Sequence, residues 1–256
     1  MSLRCILSHS CSASATASIM PSTFAASVPE KPDSMSASSS RMTSLVLWNA
    51  STLLLAVKPN QLNLVKEKVP KNQESNSSDK PLLISVLAGV SLEKLELIFP
   101  DHVCVRAIPN APMLVGEGLI GLSWGKGVTA KHKQSIQRLF HSISESFVLP
   151  EIQMDAFLAL TSSGPAYIAL MLEALSDGAV ASGLPRTLAD NLAIKTVLGT
   201  TLLLKRQAMH PALLKDMVAS PNGTTIAALR HLEKAGLRSA LMEAVVIAAE
   251  RSREMN

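Results

Sequence analysis

From Leu45 onward, short apolar runs alternate with stretches that are apolar on one side only. Leu53-Leu54-Leu55-Ala56-Val57 is continuously apolar and stops at Lys58-Pro59. It predicts a strand buried on both faces, and Gln61 to Val69 then has the spacing of a helix. Leu82 to Val86 predicts a second buried strand, followed by Gly89 and a short helix from Leu92 to Phe99. Ser91 is placed to cap that helix, and Glu93 and Glu96 lie in its first turns, where the helix dipole favours acids. Val103 to Ile108 predicts a third strand, ended by Pro109. Continuous apolar strands separated by helices imply a parallel sheet covered on both faces, part of a doubly wound α/β domain.

After Pro150 the strand pattern vanishes and the remainder reads as helices. Ser163 is placed to cap one that opens with Gly164-Pro165 and stops at Gly183. Pro185 opens a long one reaching about Ala208, further helices follow Pro211 and Gly223, and the last starts near Arg238. Leu192, Ile194, Val197, Leu198, Leu202, Leu203 and Leu204 cover most of one cylinder, so that helix must be buried nearly all round. A hundred residues do not easily bury such helices alone, which predicts a second copy of the chain over them.

Residues 1–43 show no period of 2 or 3.6, are rich in Ser and Ala, and carry no acid before Glu30. They read as a disordered tail or as a targeting segment, although a transit peptide usually carries more Arg. Composition changes this picture little. With 47% hydrophobic and 17% charged residues, the rest of the chain has enough apolar side chains for a sizeable core. The formal charge of +4 comes from scattered Lys and Arg not interleaved with aromatics, so no nucleic-acid partner is expected. Cys5, Cys11 and Cys104 cannot form a disulfide framework, and no continuous apolar run reaches the ~18 residues of a membrane span. A soluble, cytoplasmic protein is expected, or a plastid or mitochondrial one if the tail is a transit peptide.

Candidate chemistry is sparse. His102, His132, His141, His210 and His231 have no Cys or carboxylate at metal-ligand spacing, so no metal site is expected, and Cys104 lies in an apolar strand. Ser220-Pro221-Asn222-Gly223-Thr224-Thr225 breaks one helix and starts the next. Such a start leaves backbone N–H groups pointing outward beside hydroxyls, which suits a small carboxylate, and it is equally what an ordinary turn with a helix cap looks like. Thr161-Ser162-Ser163-Gly164-Pro165-Ala166-Tyr167 is a second hydroxyl-rich helix start, open to the same two readings.

Several blocks occur in a recognisable order. They are Leu54-Leu55-Ala56-Val57-Lys58-Pro59, Ser85-Val86-Leu87-Ala88-Gly89-Val90, Val105 to Pro112 with Glu117-Gly118, Ser163 to Tyr167, Gly183-Leu184-Pro185, and Leu214 to Thr225. In order and spacing they resemble pyrroline-5-carboxylate reductases, over about residues 45–255. The resemblance implies a partial Rossmann-like NAD(P)-binding domain over 44–150, a helical substrate and dimerisation domain over 151–256, and NADPH or NADH as cofactor. It implies reduction of 1-pyrroline-5-carboxylate to L-proline by a homodimer or larger homo-oligomer. By position, Ala56, Val57, Lys58, Pro59, Val86, Leu87, Ala88 and Asn110 match the cofactor site, and Glu151, Ser220, Gly223, Thr224 and Thr225 match the substrate site. Thr225 matches the residue that hydrogen-bonds the imine nitrogen.

Three departures from the family pattern stand out. Asn222 and Ser162 replace usual glycines, and nothing before residue 45 reads as the first strand with its Gly-x-Gly-x-x-Gly/Ala loop. Weak cofactor binding is therefore expected. The alternative function is a catalytically inactive dimerising relative that associates with full-length subunits.

Overall fold

The computed structural model describes residues 3–7, 50–67, 69 and 80–255. They form two compact units: the residues described up to Ser162 together with those from Ala248 on, and Ser163–Ile247.

The first unit is built on a sheet of β1 (Leu3–Leu7), β2 (Thr52–Ala56), β3 (Leu82–Ser85), β4 (Val103–Pro109), β5 (Gly118–Trp124) and β6 (Ser144–Val148), in that spatial order. β1 to β4 are parallel, β5 runs antiparallel to β4, and β6 is parallel to β5. Helix α1 (Leu62–Glu67) lies in the connection from β2 to β3, α2 (Leu92–Ile98) in that from β3 to β4, and α3 (Ala130–Phe140) in that from β5 to β6. Odd and even strand positions feed different cores. Leu53, Leu55, Leu83 and Cys104 pack with Leu62, Val65, Leu95 and Phe99, while Leu54, Ile84, Val105, Ile120 and Leu122 pack with Ile136 and Phe140. Covering both faces is why the strands are apolar without alternation.

Several elements differ from the sequence expectation. Leu3–Leu7 forms a strand in register with Thr52–Ala56, so a strand does precede residue 45; the run is too short to show a period in sequence. The rest of 1–43, with the disordered-tail and targeting readings, lies outside the described residues. β5, β6 and α3 were not anticipated. β5 carries Gly118 and Gly121, and a Cβ at Gly121 would stand 2.8 Å from the Phe157 ring, so a close approach and not apolar bulk shapes that strand. β6 is half exposed, and α3 is a polar helix announced mainly by its Thr129 cap. The compact units divide after α4 (Met154–Thr161), whose Phe157 lies against Gly121 of the sheet.

The second unit contains α5 (Gly164–Ala181), α6 (Arg186–Gln207), α7 (Pro211–Val218), α8 (Thr224–Lys234) and most of α9 (Leu237–Glu254). Ser163 occupies the N-cap of α5, but its side chain makes no capping bond. The turn from α5 to α6 passes through Gly183 at φ 103, a left-handed conformation that favours glycine. Arg186 ties the pair together, with Nη1 2.6 Å from Asp177 and 3.1 Å from Ser176 Oγ. Leu188, Leu192, Ile194, Leu198, Leu202 and Leu203 of α6 are all exposed in the single chain. Within residues 151–181 an 18-residue window reaches a mean hydropathy of 1.3, apolar and long enough by composition to cross a bilayer. These residues fold as separate helical pieces, 151–153, 154–161 and 164–181.

Candidate functional site

Parallel strands that end side by side offer a ligand position at their carboxyl ends, and β2 and β3 of the first unit end in this way. The Val86 N–H donates to Leu55 O at 3.1 Å, which fixes the ends of β2 and β3 against each other. This brings the segment Ala56, Val57, Lys58 and Pro59 to the same strand ends as Val86, Leu87 and Ala88. Ala56, Val57, Val86 and Ala88 are half-buried apolar residues, and Lys58 and Pro59 are exposed, so a flat, partly apolar ligand finds contact area here. Leu87 is different. It is 2% exposed and belongs to the core with Leu53 and Leu83, so its side chain cannot line a ligand and only its backbone remains available.

Asn110 follows the end of the next strand, β4. Its Oδ1 accepts from the Leu119 N–H at 2.8 Å and its Nδ2 donates to Thr161 O at 3.1 Å. Both ends of the amide are thus engaged in joining β4, β5 and α4. Ser162, which stands in place of a usual glycine, donates its hydroxyl to Pro109 O at 3.1 Å and adds a tie at the same strand end.

The turn between α7 and α8 in the second unit has the conformation that a left-handed position requires. Asn222 sits at φ 55, which an asparagine tolerates better than most residues, so replacing a glycine here preserves the turn. Gly223 is the N-cap of α8, and no side chain caps the helix. A Cβ at Gly223 would force Ser220 Oγ to move aside, a shift that glycine spares the turn. Thr224 and Thr225 open α8, with Thr225 half buried and Ser220 and Thr224 exposed. Their backbone N–H groups are the uncompensated donors of a helix start, at the positive end of its dipole, and their hydroxyls add further donors. In the other hydroxyl-rich segment, the Tyr167 hydroxyl donates to Ala244 O at 3.2 Å and so links α5 to α9.

Glu151 does not join either group. Its Oε1 accepts from the Leu92 N–H at 2.6 Å, at the start of α2, and lies 3.4 Å from Arg106 Nη1. Arg106 is 1% exposed, and its Nη2 reaches Asp155 Oδ1 at 3.2 Å, which also accepts from Ser252 Oγ at 2.7 Å. Sequence reasoning missed this buried network. The available signal was a single arginine inside the apolar run Val103 to Ile108, since a charge there requires acidic partners.

Cys104 is fully buried, and desolvation with the nearby Glu96 carboxylate pushes its thiol up to about 12, which removes it as a nucleophile. Among the described residues no cluster of His, Cys, Asp and Glu could hold a metal ion.

A Rossmann-like sheet joined to a helical unit of exposed apolar helices is the build of a dinucleotide-dependent oxidoreductase that assembles through its helices. The family description "Pyrroline-5-carboxylate reductase dimerisation" matches residues 151–255. A pyrroline-5-carboxylate reductase of Synechocystis sp. is 46% identical over 206 residues, 80% of this chain and 75% of the relative. That of Arabidopsis thaliana is 41% identical over 211 residues, 82% of this chain and 75% of the relative. The crystal structure of a Plasmodium falciparum pyrroline carboxylate reductase with NADP bound aligns with TM-score 0.74 and 33% identity, covering 79% of this chain and 80% of that one. The chain belongs to the pyrroline-5-carboxylate reductase family. The alternative of a catalytically inactive dimerising relative finds no support among these proteins.

The strand-end residues fit the cofactor of this family in part. The half-buried apolar surface of Ala56, Val57, Val86 and Ala88 suits a nicotinamide and its ribose. The glycine-rich turn that would hold the pyrophosphate has no counterpart in sequence, since no glycine precedes Gly89.

Proposed function

We propose that this chain reduces 1-pyrroline-5-carboxylate to L-proline with NAD(P)H, as a homodimer or larger homo-oligomer in the cytoplasm. The observation that carries the substrate assignment is the uncapped start of α8, with Asn222 left-handed and Thr224 and Thr225 at the first two helical positions. It is a preformed anion site, and the substrate has one carboxylate. Ser220, Thr224 and Thr225 hold that carboxylate through backbone N–H groups and hydroxyls, while Gly223, whose N–H donates to Ser220 O at 3.1 Å, closes the turn and does not reach the ligand itself. With the carboxylate fixed, the ring can turn about few axes, and the Thr225 hydroxyl hydrogen-bonds the ring nitrogen and so orients the imine carbon. The protonated imine is already electrophilic, so no histidine or cysteine has to activate it. Bound NAD(P)H supplies the hydride. Ala56 to Pro59, Val86, the Leu87 backbone and Ala88 present the apolar strand ends on which the cofactor's nicotinamide side rests.

Carboxylate recognition is tested by titrating the protein with proline and with pyrrolidine, the same ring without the carboxylate. Proline is expected to bind and pyrrolidine to bind at least about tenfold more weakly, as losing a charged hydrogen-bonding group implies. Equal affinities would reduce the turn to a helix cap.

A further inference from the structure

We propose that Arg106 and Glu151 are positioning residues that hold the Ala88–Leu92 segment, which leads from the connection after β3 into the start of α2, in its cofactor-lining form. The inference rests on the assignment of Val86 to Ala88 to NAD(P)H. Three observations lead to it. Glu151 makes its short bond not to a side chain but to the Leu92 N–H, where a carboxylate also meets the positive end of α2. The same carboxylate is held from behind by Arg106, a fully buried guanidinium on β4 whose Nε has no hydrogen-bond partner. Such a cation, desolvated and incompletely satisfied, is a costly way merely to fill a core. On the other side, Gly89 at φ 64 is packed so closely that a Cβ there would lie 2.6 Å from Met255 Cβ.

The Ala88–Leu92 segment is thus clamped from two sides. Glu151 holds its helical end, and Met255 covers its glycine turn. Both clamps lead back to one network, because Ser252, one turn before Met255 on α9, donates to Asp155, and Asp155 completes the pairing of Arg106. Within this unit, the pose of the connection after β3 is set by a strand (β4), a helix start (Glu151 and α4) and the last turns of α9. Glu151 is a residue that acts through Leu92 and not by touching substrate.

The test uses the full chain and Arg106→Lys, Arg106→Met, Ser252→Ala and Glu151→Gln. NADPH binding is read by fluorescence titration, and amide hydrogen exchange of residues 86–92 is read without cofactor. Arg106→Lys and Ser252→Ala are expected to raise the NADPH Kd at least about fivefold, speed exchange at Gly89 to Leu92, and leave the KM for pyrroline-5-carboxylate within about twofold. Arg106→Lys should lie between the unsubstituted chain and Arg106→Met, because lysine keeps the charge and loses the fork. If Arg106→Met does not fold, the two milder variants decide by the same criterion. Unchanged NADPH affinity and exchange in folded Arg106→Lys and Ser252→Ala would overturn the proposal. So would a Glu151→Gln chain whose substrate KM rises while its NADPH Kd stays put. If the unsubstituted chain binds no NADPH, the proposed function fails first, before any variant is compared.

Discussion

A threonine hydroxyl at the start of a helix either caps backbone donors or waits for a ligand, and Thr225 separates the two. No side chain caps α8, so Thr225→Val removes no intramolecular bond at that end. The variant is expected to keep its thermal midpoint while its affinity for proline and pyrroline-5-carboxylate falls by about 1–3 kcal/mol, the cost of a lost hydrogen bond to a buried or charged group. Calorimetric titration measures it, and a lowered midpoint with unchanged affinity would contradict the assignment. His102 reports on the sheet unit. Burial pushes the His102 imidazole below its usual value, with Asp101 opposing and Lys80 adding to the shift. The unfolded chain therefore takes up that proton first as pH falls below about 6.5, and stability drops with it. Denaturant midpoints at pH 7.0 and 5.5 should show this loss, and His102→Gln should lessen it. Site residues whose role is written in backbone demand were legible in sequence. Ser91 accepts from the Lys94 N–H at 3.2 Å as a cap should, and Asn222, which stands in place of a usual glycine, takes a left-handed conformation. Residues whose role depends on distant partners were not. Leu87 was read as a ligand contact although strand parity turns it into the core, and Arg106 was passed over because Glu151, Asp155 and Ser252 lie far along the chain.

Elements were legible where a single period governed them. β2, β3 and β4 fall on the three apolar runs, and α6 spans Arg186–Gln207 where Pro185 and the leucine pattern placed it. β5 and β6 escaped because one is shaped by glycines that admit Phe157 and the other is a half-exposed strand without an apolar face. Helix α6 carries the strongest prediction at this scale. Leu198 is 55% exposed in the single chain, and leucines along one helix do not remain in water when a second copy can cover them. Leu198→Asp is expected to lower the sedimenting mass towards the single chain at micromolar concentration while far-ultraviolet circular dichroism stays unchanged. A chain that is monomeric before the substitution would remove the argument for assembly through these helices.

At the scale of the molecule, the proposed cofactor contacts belong to the sheet unit and the proposed substrate turn belongs to the helical unit. The cofactor contacts are the less complete of the two. With no glycine before Gly89, the pyrophosphate lacks the usual close-packed turn of backbone donors, and the exposed Lys58 is a weak substitute because salt screens it. The KM for NADPH is accordingly expected towards the upper end of the ~1 μM–1 mM range that enzymes show. Whether residues 1–43 direct the chain to an organelle is a separate matter, checked by fusing them to a fluorescent protein; diffuse cytoplasmic signal is the expected result. The central claim is the reaction itself. The purified chain is mixed with pyrroline-5-carboxylate and saturating NADPH, and cofactor absorbance is followed while proline is assayed. NADPH should be consumed only when the imine is present, with one proline formed for each NADPH lost. No consumption up to millimolar NADPH, or consumption without proline, would contradict the account.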